Sequence, residues 1–336
     1  MSITLKEMRE GMNDKVSQQV VDTFIRKSEL LELLIFDNAV SPSGGSTLTY
    51  GYVQKKLPST TAFRAINSEY TSSEATVEKK TTDLAVLGGA FAIDRVINQA
   101  AGIYDNMQLQ IEEKIDSAIG TFHNGMINGD SSSIANSFDG LDKFLLGTTS
   151  EYGVDEVIDL STMVQLKANA DVFYEALLNL INKTGAHALL VNEGMKTKIQ
   201  TVARVLGFKT ESEESFGRTV TTIGEGKVRL IDLKNVISVS GENESRVAVE
   251  TPIIKANNAR TVNSTAYTGL TDIYAVRFSV LDGFLGVTLT GNTAINTYLP
   301  DFSQPGAVKT GEVEMIAAVA LKNTKAAGVL RNIKIQ

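Results

Sequence analysis

The sequence predicts an α+β chain in which a polar β-hairpin and one long helix lie between an N-terminal arm and a mixed α/β lobe. Three observations carry that reading. Apolar residues recur at spacings of three and four, with no proline, from about Phe91 to Met126. A Thr- and Ser-rich stretch of strand character, Ser46 to Leu87, comes just before it. Short helical and strand patterns then alternate towards the C-terminus.

Composition is compatible with a folded chain of this size. Of 336 residues 43% are hydrophobic and 21% charged, enough apolar mass for a sizeable core. Lys and Arg number 32 against 39 Asp and Glu, a formal charge of −7. A broad phosphate-gripping face needs the opposite balance. The chain has no cysteine, which excludes disulfides and thiolate metal sites. No apolar run reaches the length of a membrane span, and the first ten residues lack the apolar stretch of a secretory signal. A soluble protein made in a cytoplasm, with no membrane partner, is the expectation.

The elements follow in order. Thr4 to Phe36 reads as helical, with Val16, Val20, Phe24, Ile25, Leu30, Leu31 and Leu34 at roughly helical spacing and a polar start suited to a flexible arm. Three strands are expected next, Thr47–Val53, Ala62–Tyr70 and Ala75–Leu84, the last two flanking the turn-like Thr71 to Glu74. A long hairpin with so little apolar content is marginal alone and needs another surface to lie on. The helix from Phe91 to Met126 carries Ile93, Val96, Tyr104, Ile111, Ile115 and Phe122 on one face; it would run roughly 50 Å and serve as a spine. Gly125 and Asn128-Gly129 stop it. In the second lobe, helices are expected at Ala168–Asn182 and Glu193–Leu206. Strands are expected at Ala188–Val191, Val228–Leu233, Val236–Val239, Thr271–Phe278, Leu285–Leu289, Gly311–Leu321 and Gly328–Ile335.

Chemistry-bearing patterns are sparse. The two histidines, His123 and His187, lack neighbours at ligand spacing. Gly224-Glu-Gly-Lys227 lacks the spacing of a phosphate loop and lies between strand-like segments, as an ordinary turn does. There is no Gly-x-Ser-x-Gly elbow. Glu112-Glu113 and Glu213-Glu214 read as solvated faces, and Lys79-Lys80 is too short for a nucleic-acid patch. No catalytic, cofactor-binding or metal residue is named, and no cofactor is expected. A soluble α/β enzyme with no linear motif remains the reading from another class.

Several strings in their order resemble the capsid proteins of tailed bacteriophages, the Hong Kong 97-type fold. They are Phe63-Arg-Ala-Ile-Asn67, Leu84 to Arg95 leading into the spine, Phe138-Asp-Gly-Leu141 after it, Leu189-Leu-Val-Asn192 before a helix ending at Gly207, and Ile273 to Phe278. The resemblance covers nearly the whole chain. It implies an N-terminal arm (1–45), an extended hairpin loop (46–87), a spine helix and peripheral lobe (88–154), a mixed axial lobe (155–290) and C-terminal strands returning to the peripheral lobe (291–336).

It also implies a structural subunit, not an enzyme. Such a subunit self-assembles into homo-hexamers and homo-pentamers of an icosahedral head around double-stranded DNA, in the virion, after assembly in a bacterial cytoplasm. Some relatives carry a long N-terminal scaffolding segment; here the arm is short, so a separate scaffolding protein is expected. A portal is expected as well, decoration proteins are admitted as further partners, and DNA contact should be weak and non-specific. An encapsulin-like bacterial compartment shares the fold and is the alternative. Arg64, Glu69, Glu78, Lys79 and Lys80 are the candidate residues for contacts between subunits.

Overall fold

The computed structural model describes residues 2–4, 27–40, 48–57, 59–96, 106–208, 211–215, 218–224, 227–240, 247–289 and 295–336. The chain opens with β1 (Ser2–Thr4), a single helical turn α1 (Glu29–Leu33) and β2 (Ile35–Val40). Ser28 caps α1 by accepting the Leu31 N–H, which fixes the turn where the chain enters the core. The helix expected through Phe36 therefore ends early: Ile35 and Phe36 are in a strand beside the later strand Phe284–Leu289. Most of the expected arm helix, residues 5–26, lies outside the described residues.

A two-stranded hairpin follows, β3 (Thr49–Leu57) with β4 (Thr76–Asp83). Its partner strands differ from expectation. The expected strand Ala62–Tyr70 is irregular and exposed, and Thr49–Leu57 takes its place opposite β4. The left-handed Asn67 and the turn at Ala65–Ser68 break the alternation that a strand there would need.

The next strand, β5 (Ala85–Asp94), runs antiparallel along the long C-terminal strand β18 (Val308–Leu321) over ten residue pairs. The spine helix, α2 (Asn106–Asn128), follows. The expectation of a helix from Phe91 is thus corrected at its start. Ile93 and Phe91 are buried on alternate positions of β5, a period of two that the helical template also matched locally. At 23 residues the described helix is roughly 34 Å long. Ile115, Ala118, Ile119, Phe122, Met126 and Ile127 form its buried face.

The second lobe begins with α3 (Leu141–Leu145), β6 (Glu151–Tyr152) and β7 (Ile158–Asp159). It continues through α4 (Met163–Thr184), β8 (Ala188–Val191), α5 (Glu193–Val205), β9 (Glu211–Ser215), β10 (Arg218–Ile223) and β11 (Val228–Asp232). Next come β12 (Asn235–Ser240), β13 (Val247–Pro252), β14 (Asn258–Val262), β15 (Thr265–Val276), β16 (Phe284–Leu289) and β17 (Ile295–Tyr298). After β18 the chain closes on β19 (Ala327–Lys334). Gly185 ends α4 in the left-handed conformation (φ 60°), which a glycine adopts without steric cost. The segment holding Gly224 and Lys227 joins antiparallel β10 and β11, as its reading as a turn requires.

Among the described residues, two sheets organise the chain. One runs β1-β2-β16-β18-β17 with β5 added on β18. The other runs β6-β19-β15-β8-β11-β10-β9, with β14 on β15 and β7 on β19. The face of α2 packs with Phe36, Phe138, Phe284 and Met315 in the first core. Leu166, Phe173 and Leu177 of α4 and Met195, Ile199 and Val202 of α5 cover the second sheet. Gly286 lets β16 approach β2 closely, because a Cβ there would sit 2.6 Å from the Phe36 ring.

Candidate assembly surface

The hairpin is fixed at its base and free at its tip. Successive residues of β3 point to opposite sides, so Tyr50 and Tyr52 face the same way, inward, while Gly51 and Val53 face out. The two tyrosine rings stack at 6.0 Å and join Val40, Leu84, Leu285, Val287 and Ala320 in a small core. The Tyr50 hydroxyl donates to Asp37 at 2.8 Å, and the Lys322 ammonium lies 5.7 Å from the Tyr50 ring and 4.0 Å from Asp37. The Gln54 amide donates to the Leu321 carbonyl at 3.0 Å. Burial raises the Tyr50 pKa, and the Asp37 carboxylate raises it further. Burial also pushes Tyr52 up to about 12. Both hydroxyls stay neutral and hold the base of the hairpin on the β16–β18 sheet.

Of the five residues singled out in the sequence, Glu78, Lys79 and Lys80 lie in the ladder opposite Gln54, Val53 and Tyr52, while Arg64 and Glu69 lie on the tip. Glu78 and Lys80, two apart on β4 and on one side of it, pair with each other at 3.0 Å while about half exposed. Lys79 points to the opposite side, next to Gly51, where a Cβ would stand in ordinary contact with its Cε at 3.5 Å. Arg64 sits on the tip. Its guanidinium donates to the carbonyls of Ala65 at 3.3 Å and Ser68 at 3.1 Å, and lies 5.2 Å from the centre of the Tyr70 ring. Glu69 is exposed on the same turn. The fold thus brings Glu78 to Lys80 within one chain and commits Arg64 to its own loop.

A buried charge network in the second lobe had no sequence signature. Arg331, on the otherwise apolar β19, donates through Nε to Glu151 at 2.8 Å and through Nη1 to Asp142 at 2.5 Å and Asp272 at 3.1 Å. Arg260 grips both oxygens of Asp272 at 2.6 Å each. Tyr274 donates to Asp142 at 2.8 Å. Burial opposes the charge on Arg331, but Tyr274, Asp272 and Asp142 outweigh it and raise its pKa. The signal was available only as two polar residues, Arg331 and Asn332, inside a strand-like apolar run. Two guanidiniums meet three carboxylates here, and each of the five takes part in at least one ion pair. The network ties α3, β6, β14, β15 and β19 together.

The histidines fall in unrelated places. His123 is buried on the spine, where desolvation and Lys234 lower its pKa to about 4. His187 is exposed just before β8, its pKa lowered by partial desolvation of the ring and by Arg277. Among the described residues there is no group of three or more His, Cys, Asp or Glu placed to hold a metal ion. None of their helices is long and apolar enough to cross a membrane.

No protein-family model matches the sequence. No curated protein matches it either. Solved structures do match, at low identity and over almost the whole chain. The holo-SrpI encapsulin complex from Synechococcus elongatus PCC 7942 superposes with a TM-score of 0.54 at 13% identity, covering 91% of this chain and 87% of that one. The capsid of a native GTA particle gives 0.53 at 9% identity, covering 87% and 86%. A structure of Mycobacterium phage Bobi gives 0.53 at 10% identity, covering 92% and 90%. With nearly all of each chain matched and an anchored hairpin, a spine helix and a mixed lobe in this order, the chain has the Hong Kong 97-type fold of phage capsid and encapsulin shell proteins.

Proposed function

We propose that the chain is the structural subunit of an icosahedral phage head, assembling as hexamers and pentamers around double-stranded DNA. The observation that carries this is the hairpin: a stalk anchored by Tyr50, Tyr52 and Gln54 presents an exposed 17-residue tip, residues 59–75, to solvent. Symmetric closure of many copies would cover such a surface in each of them. In this reading the arm (1–45) and hairpin loop (46–87) reach neighbours. Residues 88–154 and 291–336 form the peripheral lobe, and 155–290 the axial lobe. Scaffolding and portal proteins are the further partners of a head.

The likeness to an encapsulin complex supports a second reading, a bacterial compartment shell around protein cargo. Negative-stain microscopy of the purified chain, followed by analysis of the particle contents, tests both. Closed icosahedral particles are expected. DNA inside particles recovered from the native source supports the head; a co-purifying protein cargo without DNA supports the compartment. A monomer under all conditions, including with a scaffold, overturns both.

A further inference from the structure

One lysine stands where three segments far apart in sequence meet. Lys322 follows the last residue of β18 and holds the turn 279–283 at two points. Its N–H donates to the Gly283 carbonyl at 3.1 Å, and its ammonium donates to the Val280 carbonyl at 2.7 Å. The same ammonium lies 4.0 Å from Asp37 of β2 and 5.7 Å from the centre of the Tyr50 ring of β3. Tyr50 in turn donates to Asp37 at 2.8 Å. Cation and carboxylate are both largely buried, with 17% and 13% of their side chains exposed. An ammonium is stable in such a place only where carbonyl, carboxylate and ring make up for its lost water. The residue before it also grips the hairpin, since the Leu321 carbonyl accepts the Gln54 amide at 3.0 Å.

The turn that Lys322 clamps is itself braced. Ser279 Oγ accepts the Leu281 N–H at 3.3 Å, the Gly283 N–H donates to the Ser279 carbonyl at 3.2 Å, and Arg277 donates to the Asp282 carboxylate at 3.0 Å. Position 283 has no room for a side chain, because a Cβ there would stand 2.5 Å from the Ser279 nitrogen. At the tip of the turn Leu281 is 88% exposed. A braced turn passes a displacement on to whatever is fixed to it, where a loose one would absorb it. We propose that Lys322 is a coupling pin that ties the exposed turn 279–283 to the base of the hairpin, so that moving the turn loosens or re-aims the hairpin. The two arrangements are a hairpin pinned through Asp37 and Tyr50 and one freed at its base, and anything that displaces the turn shifts the balance between them. All of these contacts lie within one chain, so the inference stands apart from the shell reading and is tested on free subunits.

Hydrogen exchange of the amides at 49–54 reads the state of the hairpin base. Lys322→Met keeps the aliphatic stem on the Tyr50 ring and removes the ammonium. In this variant those amides should exchange faster by roughly tenfold, while β8, in the other sheet, keeps its wild-type rates. A purely local contact would give the same result, so the turn is perturbed as well. Gly283→Ala must displace the turn, because the new Cβ overlaps the Ser279 nitrogen. In the otherwise wild-type chain it should speed exchange at 49–54 by about fivefold or more; combined with Lys322→Met it should add nothing to the rates of Lys322→Met alone. Ser279→Ala, which removes the Oγ acceptor without adding bulk, takes the place of Gly283→Ala if that variant does not fold. Equal acceleration by the turn variant in both backgrounds, no acceleration in either, or wild-type hairpin rates in Lys322→Met would each overturn the pin.

Discussion

Ser28 Oγ lies 2.9 Å from Nε2 of His123, and both side chains are buried. The same Oγ accepts the Leu31 N–H at 3.1 Å as the cap of α1. The hydroxyl has a second lone pair and a proton of its own, so either tautomer of a neutral imidazole can complete the bond. One hydrogen bond thus joins the root of the N-terminal arm to the spine helix.

The first prediction follows from the burial of that imidazole. Desolvation and Lys234 lower the His123 pKa to about 4 in the folded chain, against about 6.5 when unfolded. Between these values the unfolded state binds more protons, so stability rises with pH. The contribution is fully present above about pH 6.5, is lost as the pH falls towards about 4, and amounts to roughly 3 kcal/mol at most. Urea unfolding of the wild type and of His123→Gln at about pH 7 and about pH 4.5 isolates it. The wild type should lose distinctly more stability than the variant on acidification. Parallel losses would mean that the imidazole is solvated.

The spine supplies a second prediction. Phe122 is fully buried and meets the rings of Phe36 and Phe138 at 6.4 and 5.9 Å. Phe122→Ala should cost about 3–5 kcal/mol through lost burial and the cavity left behind. Ile111 is only partly buried at the edge of the same core, so Ile111→Asp should cost less than Ile115→Asp, where burial is complete. Denaturant titrations of the three variants would rank them. A reversed order for the two aspartates would place the helix in another register.

The Arg331 network gives a third. Asp272 is buried between two guanidiniums and accepts from both. Asp272→Ala leaves Arg260 and Arg331 facing each other without their shared carboxylate. A loss of about 3–5 kcal/mol is expected, as for other buried pairs broken on one side. The exposed pair Glu78–Lys80 should contribute no more than about 1 kcal/mol when broken by Glu78→Gln. Thermal unfolding of the two variants against wild type measures the contrast.

How much of this was legible in the sequence depends on the range of the interaction. Helices α4 and α5 and strands β8, β11, β15, β16, β18 and β19 fall where local periodicity places them, because each buries one continuous stripe or run. Phe91 to Asp94 did not. Its apolar residues fit both periods, and the choice was made by ten residue pairs with β18, more than 200 positions away. The hairpin partner was missed for a similar reason: Ala62–Tyr70 has strand-like residues, but its own turn and the Arg64 brace hold it out of the ladder. The charge network was invisible because Asp142, Glu151, Arg260, Asp272 and Arg331 are scattered along the chain and meet only after the second sheet closes.

A fourth prediction concerns the hairpin in hydrogen exchange. Amides near Tyr50 and Tyr52 are paired with β4 and backed by a buried cluster, whereas residues 59–75 are exposed and mostly without ladder partners. Free subunits should exchange slowly at the base and quickly in the tip, and assembly should slow the tip alone. Equal tip rates before and after assembly would mean that the tip stays in solvent.

The last prediction addresses DNA. Each phosphate neutralised by a protein requires a cation close to it, and this chain has seven fewer Lys and Arg than Asp and Glu. Many of its described cations are already committed: Lys27 to Asp116, Lys143 to Asp130 and Asp139, Arg260 and Arg331 to Asp272, Arg277 to Asp282. The arm cations Lys6, Arg9 and Lys15 lie outside the described residues, but Glu7, Glu10 and Asp14 beside them in sequence nearly cancel their charge. A wall of this kind should act as a passive container, with packaging driven by a separate motor. In a filter-binding titration of free subunits with duplex DNA across a salt series, binding near physiological salt should be weaker than about 10⁻⁴ M, with a shallow slope. Micromolar binding with a steep slope would require a basic face that gathers cations out of their present pairs, and the passive-wall reading would fall.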